Sequence, residues 1–72
     1  MMRFETRKWY NVNSSQYGPV YVEKRTPHYV TLSGSFQGRY KVHDHNLFGL
    51  GENVVLPYCK GHRLFCFAAK EI

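Results

Sequence analysis

Four histidines and two cysteines are the residues of this 72-residue chain most able to hold a metal: His28, His43, His45, His62, Cys59 and Cys66. His43 and His45 stand two apart, so on a strand they share a face. Cys59 and His62 have the spacing of a zinc-ligand pair. Their flanks test the idea. Two apolar runs, Asn53–Cys59 and His62–Ala69, meet at Lys60-Gly61, which reads as a two-residue hairpin turn with glycine second. That register sets Cys59 opposite His62. It leaves Cys66 four residues farther along, about 13 Å away at about 3.3 Å per residue. A disulfide, or one tetrahedral site using both cysteines, is then excluded. Cys66 is expected to be a small buried apolar side chain. No metal and no cofactor is expected.

Catalytic groupings are equally thin. The carboxylates Glu5, Glu23, Asp44, Glu52 and Glu71 are scattered, with no pair at acid–base spacing. Gly34-x-x-x-Gly38 is followed by Arg39-Tyr40, not by the Lys-Ser/Thr of a phosphate-cradling loop. The chain reads as non-enzymatic.

What remains is a surface, and strands must position it. Tyr29–Ser33 and Arg39–His43 alternate around a loop containing glycine and serine, a β-hairpin pattern. Val30, Leu32, Tyr40 and Val42 fall on one face. Tyr29, Thr31, Arg39, Lys41 and His43 fall on the other. Before this hairpin, Val20–Arg25 alternates too, with Val20 and Val22 inward and Tyr21, Glu23 and Arg25 outward. Thr26-Pro27 ends it, because proline lacks a donor and restricts its predecessor. Near the N-terminus Trp9 and Tyr10 are adjacent, so alternation breaks there, through a bulge or an edge strand with one exposed ring. Asn11–Gly18 reads as a loop. Residues 44–52 read as a loop folded back to plug one end of a barrel. Leu64–Ala69 is apolar on both faces, which predicts a central strand.

Short strands, no convincing helix and the need to cover strand edges predict one domain over residues 1–72. Its expected form is an all-β, five- to six-stranded antiparallel barrel. The architecture resembles SH3-like barrels, with an OB-like barrel as the alternative. Fold of this kind does not specify function.

Composition narrows the classes. Twelve aromatics (six Tyr, five Phe, one Trp) exclude a disordered basic tail. The net charge of +5 and a pI near 9.5 favour acidic partners. No apolar stretch approaches the roughly 20 residues that span a bilayer, no signal peptide is visible, and two cysteines do not make a secreted disulfide framework. A reducing cytoplasm, cellular or of an infected host, is the expected location.

The leading expectation is nucleic-acid binding through Arg25, Tyr29, Arg39, Lys41, His43 and Tyr21, since rings interleaved with cations stack bases and attract phosphates. The alternative is a protein-interaction module, such as a small virus-encoded inhibitor or adaptor. Its anchors would be Trp9, Tyr10, Leu47, Phe48 and Leu50, with Tyr17 nearby, and a homo-oligomer through edge strands fits either reading.

Overall fold

A computed structural model describes residues 2–14, 16–44, 49–57 and 64–72. The described residues form six strands: β1 (Trp9–Val12), β2 (Val20–Arg25), β3 (Tyr29–Gly34), β4 (Gly38–Lys41), β5 (Asn53–Val55) and β6 (Phe65–Glu71). All pairings are antiparallel, in the order β4-β3-β2-β1-β6-β5. The two ends of this order meet where His43 and Asn53 exchange backbone hydrogen bonds of 2.8 and 2.9 Å. The result is a nearly closed all-β barrel, as the strand pattern predicts. Among the described residues no helix is long and apolar enough to cross a membrane.

The inward faces of the strands make one core. Tyr10, Val20, Val22, Val30, Leu32, Val54, Cys66 and Ala68 are buried, with Phe4 and Leu56 beside them. Burying a Val or Leu side chain is worth about 1.5–3 kcal/mol, so alternation locks each register: a one-residue slip would turn these groups to water. Phe4 and Tyr10 meet edge to face at 5.0 Å. Tyr10 is inward and Trp9 outward, and β1 alternates without a break. β1 is also not an edge, since β2 and β6 flank it; its irregularity is a register shift against β6 between Tyr10 and Val12. β6 is central, as expected from its two apolar faces.

The second hairpin is shifted by one residue from the expected register. Val54 faces Cys66, and Leu56 N–H donates to Leu64 O at 2.9 Å. A Lys60-Gly61 turn would set Val54 against Phe67; that turn lies outside the described residues. The loop after β4 returns to the barrel through Gly51 and Glu52. Gly51 has φ of 79°, and a Cβ there would come within 2.6 Å of Met2 O, so only glycine fits.

Candidate functional site

The hairpin β3–β4 presents the two faces its sequence predicts. Tyr29 pairs with Lys41, Val30 with Tyr40 and Thr31 with Arg39. Val30 and Leu32 are in the core, with Tyr40 and Val42 packed against it. On the outer side Arg39 reaches diagonally across the pair, its guanidinium 4.1 Å from the centre of the Tyr29 ring. That cation–π contact pairs the two side chains across the outer face.

β2 extends this face differently from simple alternation. Val22 pairs with Leu32, and the next pair along β3 is Lys24 with Thr31, leaving Glu23 as an extra residue. The bulge reverses the phase of the strand. Lys24 therefore joins the outer row with Thr31 and Arg39, and Arg25 pairs with inward-facing Val30. One row away Tyr21 remains outside, its ring 5.1 Å from that of Trp9 on β1. Trp9 is 45% exposed and Tyr29 36%. The outer face thus carries two aromatic platforms, Trp9–Tyr21 and Tyr29–Arg39, with Lys24 and Lys41 beside them.

Arg25 is the correction to the expected set. Its Nη1 and Nη2 donate to Glu52 Oε1 and Oε2 at 2.5 and 2.7 Å, a bidentate pair. It also donates from Nη1 to Phe4 O (3.2 Å) and from Nε to Thr26 O (2.9 Å). Its guanidinium is committed inside the protein and offers no free fork to a phosphate. Glu52 in turn accepts the Phe4 N–H at 2.9 Å. Burial pushes the Glu52 carboxyl up, but hydrogen bonds from Arg25 and Phe4, with the charges of Arg25 and Arg3, hold it below the ordinary range.

This ion pair floors an open groove of about 850 Å³ at one end of the barrel. Arg3, His28, Lys41, His43 and Asp44 line its sides. Lys41 borders both the groove and the outer face. His43 lies beyond the end of β4, half-buried, with its backbone closing the barrel onto Asn53, so it belongs to the groove rather than to the aromatic rows. The cations Arg3, Arg25 and Lys41 are matched by the carboxylates Glu5, Asp44 and Glu52 in its lining, so the groove has no marked preference for an anion.

The alternative anchors are divided by the fold. Tyr10 is fully buried, and its Oη accepts the Glu5 N–H at 2.8 Å, so it offers nothing to a partner. Leu50 is half-buried, and its carbonyl accepts the Ala69 N–H at 3.1 Å. Tyr17 packs on Phe36 at 5.2 Å, against the core. Leu47 and Phe48 lie outside the described residues, as do His45, Cys59 and His62. Cys66 is a buried thiol 3.6 Å from Asn11 O, pushed up to about 12 by burial. A thiol so raised stays protonated and is a poor ligand. Among the described residues no three potential metal ligands gather.

Two members of the outer face are absent from the expected nucleic-acid set, Lys24 and Trp9. Lys24 sits in the run Glu23-Lys24-Arg25, where three charges in succession erase any alternation to follow. Trp9 has a detectable signal, because the buried neighbour Tyr10 forces it outward once β1 is flanked on both sides. No family model, curated protein or solved structure matches the chain.

Proposed function

We propose that the protein binds single-stranded nucleic acid on the outer face of β1 to β4. The observation that carries this reading is the alignment of two ring platforms with three exposed cations, Lys24, Arg39 and Lys41, on one sheet face. One base stacks on Trp9 or Tyr21. Another stacks on the open plane of the Arg39 guanidinium, which Tyr29 supports from beneath, an arrangement that suits any base. Ser33, paired with Tyr21, and Tyr29 are four residues apart on β3, so the platforms are separated by about 13 Å along the strand direction. The three cations draw in the phosphates between them. Exposed Glu23 is the one carboxylate within this stretch of β2 and tempers the field.

Oligothymidylate tests it. Binding read by fluorescence anisotropy should weaken with salt with a log–log slope near −2, from three phosphate contacts at about −0.7 each. Trp9 is the sole tryptophan, so stacking should quench the intrinsic fluorescence in parallel. Arg39→Glu with Lys41→Glu should abolish both signals while leaving the fold intact. No binding by the unaltered protein at low salt overturns the proposal.

A further inference from the structure

The bulge in β2 places a carboxylate as well as a lysine on the outer face. Tyr21 is outside and Val22 is fully buried, so alternation carries Glu23 outside. The extra residue then brings Lys24 outside too, and both stand against the single residue Thr31 on β3. Glu23 and Lys24 are exposed neighbours of opposite charge, and no ion pair joins them. Glu5, Glu52 and Glu71 each sit beside a cation. Among the described residues nothing holds the Glu23 carboxylate.

A free carboxylate repels phosphates. On a face that drew in a nucleic-acid backbone by charge alone, Glu23 would only weaken binding. Its position gives it another use. Glu23 is two residues from Tyr21 on the same side of β2, about 7 Å along the strand. It therefore stands beside the Trp9–Tyr21 platform, on the side toward Lys24.

We propose that Glu23 selects guanine in single-stranded nucleic acid, by accepting hydrogen bonds from the Watson–Crick edge of a base stacked on the Trp9–Tyr21 platform. This inference rests on the nucleic-acid reading of the face and narrows it. An ionised carboxylate accepts through two oxygens and donates nothing. Guanine alone among the common bases sets two donors side by side on that edge, N1–H and the 2-amino group, and so meets a carboxylate in a bidentate pair. Adenine and cytosine have one amino group beside a ring-nitrogen acceptor. Thymine and uracil have one N–H between two carbonyls. Each of these gives a single bond and sets an acceptor against the second oxygen. In a duplex the same edge is occupied by the partner strand, so the contact also requires a single strand.

A fluorescein-labelled oligothymidylate is compared, by anisotropy, with forms carrying a single guanine, cytosine, adenine or hypoxanthine at the centre. Guanine should tighten binding about tenfold, as a bidentate base contact does; cytosine and adenine should gain much less. Hypoxanthine keeps N1–H but lacks the 2-amino group, and should bind about threefold more weakly than guanine. Glu23→Gln sets an amide N–H against guanine's donors and should bring guanine down to the level of thymine, as should Glu23→Ala. Both variants should hold plain oligothymidylate at least as well as the unaltered protein, since a negative charge is gone. If either fails to fold, the hypoxanthine comparison on the unaltered protein still decides.

Oligothymidylate that binds with no gain from guanine overturns the proposal and leaves the face as a binder of any sequence. A guanine gain that survives in Glu23→Ala also overturns it, because the gain would then come from stacking alone. So does an equal gain from hypoxanthine, which would remove the second bond. If no oligonucleotide binds at low salt, the nucleic-acid reading itself fails, and this inference falls with it.

Discussion

Arg25 and Arg39 lie on neighbouring parts of one sheet and do opposite things. Arg25 is turned inward, bidentate on a carboxylate that is 5% exposed. Arg39 is outside, laid over a tyrosine ring in contact with water. A charge removed from water must be matched atom for atom, so Arg25 is held by Glu52, Phe4 and Thr26 together. An exposed charge needs no such partners, and remains available to something else. The contrast teaches that a cation on a basic surface is a binding candidate only once its phase on the strand is known.

The two arginines should differ most in stability. Glu52→Ala leaves the Arg25 guanidinium buried without its carboxylate, and should cost about 3 kcal/mol or more in chemical unfolding. That is a large part of the roughly 5 kcal/mol available to a chain of this size. Arg39→Ala, measured alongside, should cost about 0.5–1 kcal/mol, the worth of an exposed cation–π contact. Similar losses for the two would refute the distinction between the sites.

Acid sharpens the same difference. The Glu52 carboxyl titrates below its ordinary range in the folded protein. Its stabilisation is therefore fully present above the unfolded value of about 4.3. It is lost as pH falls from there through the folded value. Thermal unfolding followed from neutral to acid pH should show this loss in the unaltered protein. In Glu52→Gln the drop across that window should be clearly smaller.

A smaller effect sits beside the pair. Tyr10→Phe keeps the ring in the core but removes the oxygen that accepts the Glu5 N–H, and should cost about 1 kcal/mol in the same unfolding assay. Smallest is the expected effect at Lys24. Lys24→Ala should leave stability unchanged within about 0.5 kcal/mol. It should reduce the salt slope of oligonucleotide binding by about 0.7. An unchanged slope would remove Lys24 from the face.

Much of this was readable from the chain. Alternation in Tyr29–Ser33 and Arg39–Lys41 is clean, so both faces of that hairpin follow from polarity alone. The burial of Cys66 was also readable, because it stands in a run that is apolar on both faces. The adjacent Trp9 and Tyr10 pointed to a broken alternation, through a bulge or an edge strand with one exposed ring; Trp9 is an exposed ring, but β1 is central and alternates, and its register shift lies against β6 between Tyr10 and Val12. A single residue pair shows only that one ring goes in, not which.

An all-β barrel with a cationic, aromatic outer face follows from the order of amino acids alone, because strand periodicity and the aversion of apolar groups to water act locally. Which cation belongs to that face is settled by tertiary pairing. Glu23-Lys24-Arg25 has no polarity pattern to mark its phase, and the bulge is selected by pairing with β3 and by a carboxylate 27 residues away at Glu52.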